Sequence, residues 1–347
     1  MTTVADGLFQ YGGMPVGPGS VLSFQTGTTF FVDPVNGADG NNGKSPQRAF
    51  ATLYAAHAAM TSGNNDVCVL IGNGAASGTA RLSLALAQGI DSSVTAGTLV
   101  WSKSACHLIG SGAPTRVGQR ARIAPPTGTY TQATFGSGNF ITVSGSGCIF
   151  ANISVYNGFS TGGVDQIAWT DTGNRNYYWN MNIYGMADAE AAADAGSRSL
   201  KIGSGGSGEH TFVDCVIGGD TVTRSAANAS VEFAGGTPRN SFIGCTFPLY
   251  TDDAAAVFGK VGAASGADRW QLFQDCNFIN CMDSGSTAIT GAFILAASAG
   301  GLILLQRSSL VGDGSANWGA DATSLAQLYV DGGAPTAGTT GLAINPT

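Results

Sequence analysis

Phe212-Val213-Asp214-Cys215-Val216-Ile217 returns as Phe242-Ile243-Gly244-Cys245-Thr246-Phe247 and again as Phe273-Gln274-Asp275-Cys276-Asn277-Phe278. Weaker copies cover residues 150–155, 178–183 and 305–310. Their fourth positions, Ile153, Met181, Cys215, Cys245, Cys276 and Ser308, are spaced by 28, 34, 30, 31 and 32 residues. A period in this range marks a solenoid, in which each repeat buries its apolar face only against its neighbours. A second apolar triplet accompanies the repeat: Ile141-Thr142-Val143, Ile167-Ala168-Trp169, Leu200-Lys201-Ile202, Val231-Glu232-Phe233, Phe293-Ile294-Leu295 and Leu328-Tyr329-Val330. Two or three short strands per period, bent at Gly, Asn and Asp, describe one coil of a parallel β-helix. Seven or eight such coils, stacked about 4.8 Å apart, make a rod of roughly 35–40 Å.

Side chains alternate along a strand. Parity then puts Val213, Cys215 and Ile217 on one face and Asp214 and Val216 on the other. The third positions, Asn152, Asn180, Asp214, Gly244, Asp275 and Arg307, form an outward set that is polar apart from the glycine. Cys215, Cys245 and Cys276 fall above one another as buried, reduced packing residues, since free cysteine behaves as a small hydrophobe.

The composition suits this fold. The chain has 347 residues, 52 of them Gly, with 44% apolar and only 11% charged residues. Its net charge of -7 and its lysines, limited to Lys44, Lys103, Lys201 and Lys260, leave no basic footprint for nucleic acid. No run of 18 apolar residues exists, so no membrane span is expected. The start, Met1-Thr2-Thr3-Val4-Ala5-Asp6, shows no basic and apolar leader, so no secretory signal is expected.

Residues 1–28 read as a Gly-rich arm that docks on a partner through Leu8, Phe9, Tyr11, Met14 and Val16. Residues 29–347 read as the β-helix domain. Within it, 29–65 hold a strand and a capping helix, 66–332 the coils and 333–347 a tail. Ser45 at the N-cap and Pro46 at the first helical position open a helix running to about Met60.

The stretches Phe30-Phe31-Val32-Asp33-Pro34-Val35-Asn36-Gly37, Asn41-Asn42-Gly43-Lys44-Ser45-Pro46 and Phe50-Ala51-Thr52-Leu53 resemble the N-terminal opening of right-handed parallel β-helix proteins. That superfamily is pectin-lyase-like and includes bacteriophage tailspikes. Leu8-Phe9-Gln10-Tyr11-Gly12-Gly13-Met14-Pro15-Val16 resembles the start of virion structural proteins of tailed phages. The resemblance implies a structural virion protein made in the host cytoplasm, a capsid decoration or cement protein above all. Its partner would be the major capsid protein, and it would be a homo-oligomer, a trimer being the form used in spikes. The alternatives it implies are a tailspike-type polysaccharide depolymerase and a glycan-binding adhesin, the latter using Tyr156, Tyr177 and Tyr250 on a host surface glycan. Fold does not settle activity.

The residues offer few catalytic arrangements. Glycosidases need two carboxylates roughly 5–9.5 Å apart. Asp214 and Asp275 occupy equivalent positions two coils apart, about 9–10 Å by coil spacing, with Gly244 as an open floor between them. Asp252-Asp253 is an adjacent acidic pair at a bend, a weak candidate for a cation, because Ca²⁺ needs 6 to 8 oxygens. No metal or other cofactor is expected. Glu232, Glu209 and His210 read as surface groups. His57 and His107 read as structural. Arg116, Arg120 and Arg122 read as a basic loop pairing with acidic neighbours. Gly203 to Gly208 lacks the Lys-Ser/Thr ending of a phosphate loop and reads as a turn.

Overall fold

A computed structural model describes residues 4–5, 8–11, 14–16, 26–72, 99–112, 115–116, 121–124, 138–158, 162–203, 206–281, 287–296, 300–312, 317–325 and 327–331. Arg120, the tail beyond 331 and part of the 203–208 loop lie outside them. The fold is a right-handed parallel β-helix with three walls. Among the described residues the first wall has ten strands and contains Thr211–Val213, Asn240–Ile243, Arg269–Gln274 and Gly301–Gln306. The second has eight, among them Val216–Ile217, Thr246–Thr251 and Asn277–Asn280. The third also has eight, among them Asn139–Val143, Ile167–Asp171, Arg198–Ile202, Ala229–Phe233 and Val257–Val261. These unequal walls replace a single coil number. Leu328–Val330 pairs with Gly301–Gln306 in the first wall rather than extending the third.

The repeated six-residue stretch is not one strand. It is the corner between the first and second walls. Asn152, Asn180, Asp214, Gly244, Asp275 and Arg307 sit at φ 57, 49, 52, 64, 53 and 45°. This is the left-handed region, which Gly, Asn and Asp tolerate best. The turn resets the alternation. Phe212, Cys215 and Ile217 are buried, whereas Val213 faces outward and is only half-buried. Simple parity placed Val213 inside because it treated the corner residue as part of a strand. The corner N–H groups of Asn152, Asn180, Asp214, Gly244 and Asp275 bond the next coil, for example Asn180 to Val213 O at 2.9 Å, Asp214 to Ile243 O at 2.9 Å and Gly244 to Gln274 O at 2.9 Å. A second left-handed corner, between the third and first walls, is set by Ala105, Gly147, Arg175, Glu209 and Arg239.

With phase fixed at the corner, like side chains stack inside. Tyr178, Phe212, Phe242 and Phe273 form one column, with ring centroids 4.3, 4.6 and 4.7 Å apart and planes within 7° of parallel. Phe247 and Phe278 start a second column at 4.7 Å. The cysteines pack beside them as expected. Their thiols also donate to carbonyls one coil back, Cys245 to Phe212 O at 3.5 Å and Cys276 to Phe242 O at 3.3 Å. Ser308 does the same to Phe273 O at 3.1 Å.

The helix at the N-terminal end is shorter than the Ser45-Pro46 signal suggests. Pro46–Arg48 is a single 3-10 turn, and the α-helix is Leu53–Ala59. Phe50 pairs in parallel with Val32, which interrupts the helical path. The N-cap is Thr52, whose hydroxyl accepts from Ala55 N at 3.2 Å. The arm contains Val4–Ala5, Leu8–Tyr11 and Met14–Val16, an antiparallel sheet of its own. Phe9 pairs with Val16 and Tyr11 with Met14.

Two outcomes follow from this core. Phe242→Ala removes a ring stacked on both sides and lowers unfolding free energy by about 3–5 kcal/mol, measured by chemical denaturation. Native-state thiol titration labels Cys281 first, because the other six cysteines are buried; denaturant exposes all seven.

Candidate functional site

The first candidate is the corner column itself. Asp214 and Asp275 do lie two coils apart with Gly244 between them, as their N–H bonds to successive coils require. The floor is not open, however. Arg116 reaches across it and donates from Nη2 to Gly244 O and, at 2.9 Å, to Thr246 Oγ1. Asp275 is clamped by Arg307, with Nε and Nη2 each 2.8 Å from a carboxylate oxygen. Hydrogen bonding from Arg307 holds its carboxyl below the usual range. A general acid needs the opposite shift. At the other corner Glu209 is gripped the same way, 2.6 Å from Arg175 and 2.5 Å from Arg239. These are ladders of alternating charge that tie coil to coil.

Asp252 and Asp253 lie in the bend after Thr246–Thr251. Asp253 Oδ1 accepts from Ala255 N at 2.8 Å and its N–H donates to Thr251 Oγ1 at 2.9 Å, so the pair builds a turn. Among the described residues no group of three His, Cys, Asp or Glu could hold a metal ion. The three tyrosines do not form one platform. Tyr177 faces out of the first wall, while Tyr156 and Tyr250 belong to separate strands of the second. Tyr156 packs edge-on against Tyr184 at 5.2 Å and under Arg122 at 5.5 Å. Nothing of the arm's side chains, Leu8, Phe9, Tyr11, Met14 and Val16, is described.

The third wall carries a cluster that sequence reading missed. In register, Trp169 pairs with Leu200 and Thr170 with Lys201. Lys201 pairs with Glu232, and Glu232 with Lys260. The outward column is therefore Thr142, Thr170, Lys201, Glu232 and Lys260. Beside it, Arg198 is 3% exposed and donates from Nε to Glu232 Oε2 at 2.9 Å. Two loops bring Asp165 and Asp194 together. Hydrogen bonding to Asp194, aided by burial and its charge, raises the Asp165 carboxyl, while Arg198 and Lys201 oppose the rise. Burial and the charge of Arg198 push the Lys260 ammonium down. A carboxyl with its pKa raised, placed near Arg198, Lys201 and Lys260, is shifted in the direction a proton donor needs. Aligning the middle residues of the third-wall triplets exposes Lys201 and Glu232 once the Ile167 triplet is shifted by two. The loop carboxylates carry no such signal.

A second missed cluster lies inside the rod. Asp171 is fully buried where other coils carry Val143, Ile202, Phe233 and Val261. Its carboxylate accepts from Gly173 N at 2.8 Å, Asn176 Nδ2 at 2.9 Å and the Tyr178 hydroxyl. His210, expected at the surface, is fully buried beside it and accepts Asn176 N on Nδ1 at 3.2 Å. The chain turns inward there because His210 takes the column position of Asn176 and Asn240. Its own N–H reaches Asn240 Oδ1 at 2.9 Å. No substrate reaches this cluster, so its role is packing. His107 and His57 are structural in the same manner, accepting Ile149 N and Ser102 N at 3.1 and 3.2 Å.

No protein-family model matches the chain, and no curated protein matches it. Solved structures do share its fold. Pectin methylesterase from carrot is 12% identical, with 91% of this chain and 86% of that one covered at a TM-score of 0.52. Pectin methylesterase from Erwinia chrysanthemi is 14% identical, with 85% and 82% covered at 0.49. The right-handed parallel β-helix is thus a fold this chain shares with the carrot protein. The similarity reaches the fold alone.

The histidines set an acid sensitivity. Burial holds His57 and His107 at about 4, against 6.5 when unfolded. The unfolded chain therefore takes up protons first, and stability falls as pH drops from about 6.5 towards 4. Urea midpoints at pH 7.5 exceed those at pH 5, and His107→Asn reduces that difference. Asp275 and Glu209, also depressed, add their loss only below their ordinary values of 3.8 and 4.5.

Proposed function

We propose that this chain is a structural protein of a tailed-phage virion, a decoration or cement protein that works as an oligomer. The observation that carries this reading is the outer face of the first wall. Tyr177, Trp179, Ile243, Leu272, Leu304 and Tyr329 point outward from parallel strands. Apart from Arg269 at an edge, the wall's strands from Ile149 to Val330 carry no charged residue. Thr211, Ser241, Gln274 and Gln306 share this face, so it is uncharged and partly apolar, and exposed apolar surface of this kind marks an interaction site. A second copy of this chain suits it, because identical faces without charge bring no like charges together, whereas the third wall and the corners are charged. The arm then remains to dock on the major capsid protein, in keeping with its phage-like start. The ion pairs that close Asp275, Glu209 and Glu232 fit a durable wall better than a reactive surface.

In light scattering after gel filtration the full chain runs as an oligomer. Leu272→Lys with Leu304→Lys yields monomers of unchanged circular dichroism. A monomeric wild type, or an oligomeric double variant, overturns the first-wall interface. Deletion of residues 1–25 abolishes binding to capsids lacking the protein but leaves the oligomer intact; equal binding by the deletion removes the arm's role.

The Asp165–Asp194 pair and its cations favour one second reading, a polysaccharide depolymerase acting along the third wall. It predicts release of reducing or unsaturated sugar ends from host polysaccharide, lost in Asp165→Asn. No release by the wild type removes it.

A further inference from the structure

The helix Leu53–Ala59 falls between two neighbouring first-wall strands, Thr29–Val32 and Asp66–Leu70. It lies against Leu99–Trp101, the end strand of the third wall among the described residues. The residues that close this strand hold the helix down. The His57 ring packs on Trp101, with centroids 4.9 Å apart. Ser102 N donates to His57 Nε2 at 3.2 Å. The last carbonyls of a helix lack intrahelical partners. Here Lys103 Nζ donates to three carbonyls at that end, His57 O, Ala58 O and Met60 O, at 2.5, 2.8 and 2.6 Å. Just beyond, Ser104 N donates to Ser62 Oγ at 3.1 Å and Gly63 N to Ser104 O at 2.8 Å.

Nε2 accepts from Ser102 only while it carries no proton. A proton added there turns Nε2 into a donor facing another donor. It also places a second positive charge beside the Lys103 ammonium, the charged group that faces His57 from the strand side. On the helix itself Tyr54 stands one turn back, its hydroxyl pushed to about 12 by burial and therefore neutral. A helix of seven residues depends on its packing for stability, and both faults fall where it is fastened.

We infer that His57 and Lys103 form an acid-released latch: protonation of His57 at Nε2 frees the helix Leu53–Ala59 from the end of the third wall while the coils stay folded. Release bares the Ser102 and Ser104 N–H groups at the edge of a sheet, where another strand can pair. Burial, and then the charge of Lys103, hold His57 at about 4 in the closed state, against 6.5 for a solvated ring.

Hydrogen–deuterium exchange of the full chain, read by peptide mass, tests the latch. From pH 7.5 to 5 the protection factors of residues 55–63, corrected for intrinsic exchange, fall about thirtyfold, as His57 values of about 4 closed and 6.5 open require. Those of Ala229–Phe233 hold. His57→Gln, whose amide oxygen accepts from Ser102 N but does not titrate, keeps its pH 7.5 protection at pH 5. Lys103→Met is less protected at pH 7.5 and shows a smaller fall on acidification. An unchanged wild-type cap, a fall shared by Ala229–Phe233, or an undiminished fall in His57→Gln overturns the inference. If His57→Gln does not fold, an undiminished fall in Lys103→Met overturns it instead.

Discussion

Each coil turns at a residue held in the left-handed region, and its N–H is given to the coil above. The rest of the structure depends on that constraint. The turn fixes where one wall stops and the next begins, and so fixes which side chains face inward. The bond to the next coil fixes the stacking distance and the register. Aromatic rings, thiols and charges can then repeat in columns. Had the turn slipped by one residue, Val213 would exchange places with Phe212 and the ring column would be lost. A slip of one residue moves a strand's whole apolar set to the wrong face.

Corner positions filled by residues other than glycine are strained, about 1–2 kcal/mol for an ordinary side chain. The chain offsets this in two ways. Asn152 and Asn180 use their side chains along the rod, Asn180 Nδ2 donating to Asn152 Oδ1 at 3.2 Å. Arg175, Glu209 and Arg239, and likewise Asp275 and Arg307, set opposite charges above one another. Exposed pairs of this kind are individually weak, but repeated along a rod they keep adjacent coils in register. They also occupy most of the carboxylates that a hydrolytic reading would need, which is why the structural reading stands first.

The division of labour among the walls follows. The first is flat and nearly uncharged, suited to contact with another protein. The second is covered in part by loops, beneath which Tyr184, Met186 and Ala192 form a small separate core and Arg224 is enclosed. The third carries the mixed charges of Lys201, Glu232, Lys260, Arg198, Asp165 and Asp194. Among the described residues, Asp165 beside this wall is the one carboxyl with a raised pKa.

The sequence by itself determined the solenoid, its period, the buried cysteine ladder and the polar corner column, because these depend on local spacing that recurs every coil. It placed Asp214 and Asp275 two coils apart correctly. It could not show that Arg116, more than 100 residues away in the chain, covers the gap between them. Nor could it show that Asp171 and His210 meet inside the rod, or that Asp165 and Asp194 share a hydrogen bond. Those contacts join loops and coils whose separation varies, so no fixed interval announces them. The phase error at Val213 has the same origin: alternation holds within a strand, and only the φ of Asp214, fixed by stacking against its neighbouring coils, reveals that the strand had ended.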